Sequence, residues 1–209
     1  MHPAQLETIA RALLQTSDIP SSQRPLRRQL TRLLAGGQPV APAHLARAMH
    51  ASVEEIRAAL QEIPELEYDE QGNIVGKGLT LIPTAHQFHV NHHPLFTWCA
   101  WDALYFPVLL SSSAQVISRC PVTAETIRFT ATPEQICDLD PKGAMISLVI
   151  SDATACSTNV RETFCCYSHF FSSPQAAASW QKKHPDALLL SVEEAYQVGK
   201  FVVQARQTA

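Results

Sequence analysis

Apolar residues in the first part of the chain recur every three or four positions, a spacing that predicts amphipathic helices. The first predicted helix spans residues 6–14, and the second runs from about Pro25 to a stop at Gly36 and Gly37. Pro is favoured in the first turn of a helix and Gly just after its end, which supports these limits. A third predicted helix covers residues 43–49, so this part of the chain reads as a helical module.

A capping box marks the start of a fourth predicted helix, because Ser52 precedes Glu55 by three residues. This helix begins at Val53 and extends to about Gln61. Two short helices in tandem are typical of a helix-turn-helix. A predicted hairpin with its turn at residues 69–73 comes next and completes a winged-helix outline.

From Leu79 the pattern changes to strands mixed with helices. Alternating or continuous apolar stretches predict strands at residues 87–90, 116–120, 126–129, 144–150, 164–171 and 187–190, and helices at 174–182 and 192–206. The strand at 164–171 is expected to send Cys165 and Cys166 to opposite faces. The sequence therefore predicts an α+β protein, with a winged-helix-like helical module at residues 1–78 and a domain of mixed or antiparallel sheet with helices at 79–209.

Composition and charge indicate a globular protein and argue against binding to nucleic acid or to membranes. The chain has 209 residues, 46% of them hydrophobic, so it can bury a substantial core. Its net charge of −3 predicts no broad attraction to nucleic acid or anionic lipid. The second helix of the tandem pair also argues against DNA binding, since Glu54, Glu55 and Glu62 outnumber Arg57 and would repel phosphates.

No apolar run approaches the roughly 20 residues of a membrane span, and the first residues lack a secretory pattern. We therefore expect a cytoplasmic protein that binds neither nucleic acid nor membrane.

The chain has six cysteines but no CxxC motif, so the usual signal for structural zinc is missing. Without a secretory pattern, free thiols are expected rather than a disulfide framework. Cys165 and Cys166 are adjacent and poorly placed to pair with each other. For Cys166, Cys120, Cys137 and Cys156, ordinary packing is the expected role.

One stretch combines a thiol and a carboxylate among large apolar side chains. Cys99 and Asp102 are three positions apart, and on a helix they share a face. Burial among neighbouring aromatic residues would raise the pKa of the carboxyl group. Asp102 therefore either holds a proton near neutral pH or pairs with a base such as Arg119 or Arg128. Trp98, beside the thiol, either lines the pocket or belongs to the core.

Three reaction classes fit a pocket in which this stretch meets the thiol-bearing run at residues 164–171. They are the binding or cleavage of a soft-metal compound, covalent catalysis by cysteine with a histidine, and thiol redox chemistry. Redox chemistry is the weakest of the three, because it usually employs CxxC or an exposed thiol. His92, His93 and His169 are expected to be solvated or structural and receive no role.

Two segments resemble the signature segments of the organomercurial lyases, also called alkylmercury lyases. They are Trp98-Cys-Ala-Trp-Asp102 continuing to Phe106-Pro107, and Phe164-Cys-Cys followed by His169-Phe170-Phe171. The similarity continues in order over nearly the whole chain, for example at residues 78–81 and 191–195.

This resemblance implies an enzyme of mercury detoxification that cleaves the carbon–mercury bond of organomercury compounds by protonolysis. It implies that Cys99, Cys165 and Asp102 hold mercury and that Asp102 also moves the proton. Trp98, from its position beside Cys99, is the candidate substrate-binding residue. No organic cofactor is expected, and Hg(II) would pass to external thiols or to mercuric reductase. The rival interpretations are a thiol-based metal sensor that contacts DNA and a cysteine hydrolase built on Cys99.

Overall fold

The computed structural model describes residues 1–16, 19–150 and 159–208, so Cys156 lies outside the described residues. The α-helices in these ranges are α1 (Pro3–Thr16), α2 (Arg24–Leu34), α3 (Pro42–Met49), α4 (Val53–Gln61), α5 (Ala100–Leu110), α6 (Val160–Thr163), α7 (Pro174–Gln181) and α8 (Val192–Thr208). Short 3₁₀ helices occur at Ser21–Gln23 and Cys165–Tyr167. None of the described helices is long and apolar enough to cross a membrane.

The strands of the described ranges form two antiparallel sheets. They are β1 (Glu67–Tyr68), β2 (Ile74–Lys77), β3 (Leu79–Thr80), β4 (His86–Val90), β5 (His93–Thr97), β6 (Ala114–Arg119), β7 (Thr126–Ala131), β8 (Ile136–Asp140), β9 (Met145–Leu148), β10 (Phe170–Phe171) and β11 (Leu188–Ser191). The larger sheet has the order β1-β2-β3-β5-β4-β6-β7-β8, and the smaller one has the order β10-β9-β11. The predicted α+β fold class, with N-terminal helices and a C-terminal antiparallel sheet, is confirmed.

Capping residues fix the starts of two helices as the sequence predicts. The backbone N–H of Glu55 donates to Ser52 Oγ at 3.1 Å, and the Ser52 N–H donates to Glu55 Oε2 at 2.8 Å. Ser191 and Glu194 form the same reciprocal pair before α8, with distances of 3.1 and 2.9 Å. Each pair satisfies two backbone donors that a helix N-terminus would otherwise leave without partners.

The larger sheet runs across the boundary between the N-terminal helices and the rest of the chain. Strand β2 ends the predicted wing, and it pairs with β3, which in turn pairs with β5. Gly78, between β2 and β3, has a positive φ of 76°, which glycine adopts at no steric cost. Its carbonyl oxygen accepts a hydrogen bond of 2.8 Å from the Trp98 N–H. The N-terminal helices are thus tied by backbone pairing to the segment that precedes α5.

Helix α5 lies at the centre of the fold, packed against the larger sheet on one side and against α8 on another. Its Ala103 and Leu104 are completely buried, as is Tyr196 of α8. Gly199 of α8 lies close to α5, where a Cβ atom would be 3.8 Å from both the Leu104 carbonyl and the Trp101 ring. This packing holds the first turn of α5 in a fixed place, and that turn carries the candidate chemistry.

Candidate active site

Cys99 is the N-cap residue of α5 and lies in the short connection between β5 and this helix. Its backbone is extended (φ −146°, ψ 175°), and its side chain is fully buried. Thr97 donates a hydrogen bond of 3.0 Å to the Cys99 carbonyl oxygen. Ser168 completes the helix start, since its carbonyl accepts the Ala100 N–H at 3.2 Å and its hydroxyl accepts the Trp101 N–H at 3.0 Å. The turn after Cys165 is therefore fastened directly to the end of the helix beside Cys99.

Asp102 lies in the first turn of α5, three residues after Cys99. The Cys99 thiol donates to its carboxylate, with Sγ and Oδ2 3.4 Å apart. Burial raises the pKa of Asp102 to about 6, although the hydrogen bond from Cys99 and the positive charge of Lys77 both lower it. Arg128 lies 3.9 Å from Asp140 instead, and no ion pair joins Asp102 to Arg119 or Arg128 among the residues that the structure describes. Asp102 is thus a stronger base than an ordinary carboxylate and can hold a proton close to neutral pH.

The predicted strand at residues 164–171 is wrong over most of its length. Residues 160–163 form α6, residues 165–167 form a 3₁₀ turn, and only Phe170–Phe171 pairs as β10. Asn159 caps α6 by accepting the Glu162 N–H at 3.3 Å, and the Cys165 carbonyl accepts the Ser168 N–H at 3.1 Å. These local hydrogen bonds satisfy the backbone without a neighbouring strand, which outweighs the strand propensity of the aromatic side chains.

The turn separates the two adjacent cysteines. Cys165 is half-buried and lines the cavity beside Asp102, whereas Cys166 is exposed. The inference that only one thiol of the pair faces the pocket therefore holds, but through a turn rather than through strand alternation.

The structure brings Cys99, Asp102 and Cys165 together, and one ligand atom from each lies within 4.8 Å of the other two. Burial raises the pKa of the Cys99 thiol well above its usual value, and a hydrogen bond with Cys165 and the charge of Asp102 act in the same direction. Cys99 is consequently a neutral thiol that needs a base to release its proton. Two sulfur atoms and one carboxylate at this spacing suit a soft metal, for which thiolate is the preferred ligand.

Lys77 is a charged neighbour of this group that the sequence did not single out. Its Nζ donates to the Pro64 carbonyl oxygen at 2.7 Å and lies 4.0 Å from Glu65 Oε2. Burial lowers the pKa of Lys77 to about 8, helped by the charge of Arg27 and opposed by Glu65, Asp102 and Cys165. Lys77 lies in the segment that joins the two predicted domains, where the sequence pattern gives no sign of a buried cation.

Trp98 lies on the wall of the cavity, between two cations. The Lys77 Nζ is 4.9 Å from the centre of its ring, and the Arg161 guanidinium carbon is 4.7 Å away. Arg161 is held in turn by Glu67, with Nη1 and Oε1 2.7 Å apart. The indole Nε1 is buried and has no hydrogen-bond partner within the described ranges. Trp98 is therefore part of the pocket wall.

A cavity of about 420 Å³ opens in front of the Cys165 thiol and the Asp102 carboxylate. The aromatic side chains that line it, together with aliphatic ones, are Trp98, Trp101, Tyr105, Phe106 and Phe164. Helix α2 supplies much of the opposite wall. This volume falls within the range of small-molecule pockets, and the lining suits an alkyl or aryl group attached to a metal.

Comparison with protein families shows which family the chain belongs to. A family model described as alkylmercury lyase matches residues 79–204, and one described as the helix-turn-helix domain of alkylmercury lyase matches residues 5–78. The chain belongs to the alkylmercury lyase family.

Relatives in this family match over most of their length. The alkylmercury lyase of Streptomyces lividans is 42% identical over 189 residues, which cover 90% of this chain and 86% of the relative. The Staphylococcus epidermidis and Bacillus cereus alkylmercury lyases are 41% and 42% identical, over 84% and 87% of this chain and 80% and 82% of their own. The crystal structure of the mercury-bound form of MerB2 shares the fold, with a TM-score of 0.78 at 24% identity over 97% of this chain and 99% of that one.

The remaining thiols and histidines lie apart from the family's two signature segments or outside the pocket. Cys120 is buried and accepts a hydrogen bond from the Thr123 N–H at 3.4 Å, while Cys137 is half-buried. His169 packs edge-on against Trp180, with ring centres 5.5 Å apart, so it behaves as a structural residue. The family membership does not favour the metal-sensor alternative, and Glu54 of the second tandem helix is exposed.

Proposed function

We propose that this protein cleaves the carbon–mercury bond of organomercurials by protonolysis, giving a hydrocarbon and Hg(II). The observation that carries the proposal is the close group formed by Cys99, Asp102 and Cys165 at the base of an apolar cavity. Membership of the alkylmercury lyase family supports the same reaction. The two thiols can bind the metal, the carboxyl group can carry the proton, and the cavity can hold the organic group.

Capture of mercury begins at Cys165 in this proposal. Cys165 faces the cavity, whereas Cys99 is fully buried beyond it, so an entering molecule meets Cys165 first. In a cell the R–Hg⁺ group is carried by a thiolate, and thiols exchange readily on mercury. The Cys165 sulfur bonds to mercury while its proton leaves with the departing thiol, so that charge and atoms balance.

The second sulfur and the proton then act together. Asp102 accepts the Cys99 proton along the hydrogen bond that already joins them, and the Cys99 thiolate becomes the second sulfur on mercury. Two thiolates raise electron density at the metal and push it onto the bound carbon. The carbon–mercury bond breaks with its electron pair on carbon, which takes the proton from Asp102. Hg(II) remains on Cys99 and Cys165, and the ionised Asp102 lies close enough to serve as a third ligand.

Product release requires a competing thiol. Mercury–thiolate bonds exchange with other thiols far faster than they dissociate into water, so a low-molecular-weight thiol or a protein such as mercuric reductase would receive Hg(II). The reaction needs no organic cofactor, because the three side chains supply both ligands and proton. A cytoplasmic location belongs to the same proposal, since a reducing compartment keeps both thiols free.

Gas chromatography of the headspace tests the reaction directly. Reduced protein is mixed with phenylmercury and excess 2-mercaptoethanol, and benzene is measured for the wild type and for Cys99→Ser, Cys165→Ser and Asp102→Ala. The exposed neighbour supplies the control, because Cys166→Ser should retain wild-type turnover. Benzene from the wild type and from the control alone supports the proposal, while tight mercury binding without benzene would overturn it.

A further inference from the structure

The cavity has a cationic side that supplies neither a mercury ligand nor the transferred proton in the proposed reaction. Five of its lining residues are cations, namely Arg24, Arg27, Arg28, Lys77 and Arg206. The acidic residues among the described lining are Asp102 and the exposed Glu62. Because the whole chain has a net charge of −3, this local excess of positive charge is opposite in sign to the rest of the protein.

Arg27, on helix α2, is the half-buried centre of this group. Its Nε and Nη2 donate to Gln23 Oε1 at 3.2 and 2.9 Å, so the partner that holds it is a neutral amide. Within the described ranges, no carboxylate lies in ion-pair distance of Arg27. Burial lowers the pKa of Arg27, and repulsion by Arg206 lowers it further. A half-buried guanidinium with a cationic neighbour gains free energy when an anion binds to it.

Two of the other cations, Arg206 and Lys77, have contacts that lead from Arg27 towards the rest of the cavity lining. Arg206, on α8, donates from Nη1 to the Tyr105 hydroxyl at 3.3 Å, and Tyr105 stacks on Trp101 with ring centres 6.5 Å apart. Lys77 lines the same cavity, and its pKa is lowered by the charge of Arg27 and raised by that of Asp102. The cationic side chains, Asp102 and Cys165 therefore line one cavity, which a molecule held by mercury at Cys165 would share with the cations.

We propose that Arg27, together with Arg206 and Lys77, forms an anion subsite that binds a carboxylate carried by the organomercury complex. The inference deepens the proposed function and rests on it. Arg is the residue suited to this task, because its planar guanidinium pairs with a carboxylate through two parallel hydrogen bonds. The carboxylate has two possible sources: the organic group itself, or the thiol that delivers mercury as R–Hg–SR′.

The two sources are separated by a pair of substrate comparisons. The first compares 4-mercuribenzoate with phenylmercury, both in 2-mercaptoethanol, by the formation of benzoate and benzene. The second compares phenylmercury in 3-mercaptopropionate with phenylmercury in 2-mercaptoethanol. In each comparison, kcat/KM for the substrate complex with the carboxylate is divided by kcat/KM for the complex without it. This ratio is measured for the wild type, Arg27→Gln and Arg27→Lys. Arg32→Gln is the matched control, because Arg32 is an exposed residue of the same helix outside the cavity.

Arg27→Gln should lower the ratio about tenfold in at least one comparison, since a hydrogen-bonded charge pair in a partly buried site contributes on this scale. Arg27→Lys should retain most of the ratio, and Arg32→Gln all of it. A fall in the first comparison assigns the carboxylate to the organic group, and a fall in the second assigns it to the thiol. Equal ratios for Arg27→Gln and wild type in both comparisons would overturn the subsite while leaving the lyase intact. Absence of both benzene and benzoate from the wild type would overturn the lyase and the subsite together.

Discussion

The thiol of Cys99 donates a hydrogen bond to the carboxylate of Asp102, with Sγ and Oδ2 3.4 Å apart at the start of α5. Helix geometry produces this pair, because an N-cap residue and the residue three positions later lie on the same side of the first turn. The donor and the acceptor thus belong to one rigid turn, and the proton path between them does not depend on a loop movement. Cys165 is brought to this pair by Ser168, whose hydrogen bonds to Ala100 and Trp101 join the two chain segments.

Replacing Asp102 by Asn should separate mercury binding from bond cleavage. The amide has nearly the same shape but cannot carry the proton, and loss of a general acid typically costs about 10²-fold to 10⁴-fold in rate. Benzene formation from phenylmercury should fall by at least about 10²-fold, while one equivalent of Hg(II) still binds to Cys99 and Cys165. Asp186→Asn, at an exposed position, is the control. Near-normal benzene formation by Asp102→Asn would rule out Asp102 as the proton carrier.

Asp102 should also make stability depend on pH in a defined window. Its pKa rises from 3.8 in the unfolded chain to about 6 in the fold. The folded state therefore binds the extra proton, so this contribution to stability is complete below pH 4 and is lost as pH rises through 6. Relative to Asp102→Asn, the wild-type free energy of unfolding should fall by up to about 3 kcal/mol between pH 4 and 7. Urea unfolding at each pH measures the difference, and a flat difference would contradict the buried, raised-pKa carboxyl group.

Lys77 should set the acidic limb of the pH–rate profile. Its positive charge lowers the pKa of Asp102, so Lys77→Met should raise that pKa and move the limb to higher pH. The profile of kcat/KM for phenylmercury between pH 5 and 8 reports the shift, because the free enzyme needs ionised Asp102 to accept the Cys99 proton. Lys183→Met removes an exposed lysine and serves as the control. A limb at the same pH in Lys77→Met and wild type would show that the two charges do not interact.

The order of capture should be visible in a variant that cannot complete the reaction. In Cys99→Ser with Cys166→Ser, phenylmercury should form an adduct on Cys165 without releasing benzene, since Cys165 faces the cavity. Mass spectrometry of the rapidly quenched protein locates the adduct. In the reciprocal variant, Cys165→Ser with Cys166→Ser, capture at the fully buried Cys99 should be at least about tenfold slower, because local opening must come first. Faster capture at Cys99 than at Cys165 would reverse the proposed order.

Alanine at Gly78 should lower both the stability of the protein and its turnover. Both Gly78 and Gly72 have positive φ angles, of 76° and 78°, so alanine at either position costs about 1–2 kcal/mol of stability. A Cβ at Gly78 would also lie 2.9 Å from Phe106 and 3.4 Å from Asp102, whereas one at Gly72 would contact nothing. Gly78→Ala should therefore lose about 1–3 kcal/mol more than Gly72→Ala and also lose turnover. Urea unfolding and benzene release compare the two variants, and equal losses would mean that the contact with α5 is tolerated.

Local signals predicted much of the fold, because they depend on residues close together in the chain. The Ser52 and Ser191 capping boxes give correct helix starts, and alternation gives strands such as β4 and β7. The strand at 164–171 is wrong because turn hydrogen bonds after Asn159 override side-chain propensity. The assignment of Cys99, Asp102 and Cys165 to mercury chemistry came from the resemblance, and the structure brings the three together.

The cationic side of the cavity could not be predicted from the sequence. Arg27 and Arg206 are 179 positions apart, and they meet only because α2 and α8 pack around the same space. Each residue lies on an amphipathic helix, where an arginine usually marks the solvated face. Lys77 gives no signal either, since its burial comes from the position of β2 in the sheet and not from its neighbours in sequence.

The continuous sheet through β2, β3 and β5 has a consequence for how this enzyme can change. The bond-breaking side chains come from the start of α5 and the turn after α6, while the facing wall comes from α2 in the N-terminal part of the chain. Because the thiols and Asp102 lie on other elements than α2, we expect that substitutions of the α2 residues lining the cavity leave the reacting group in place. Bond cleavage and substrate selection thus depend on separate parts of the chain. We expect that the range of organic groups accepted can change through substitutions on α2, while the bond-breaking residues stay the same.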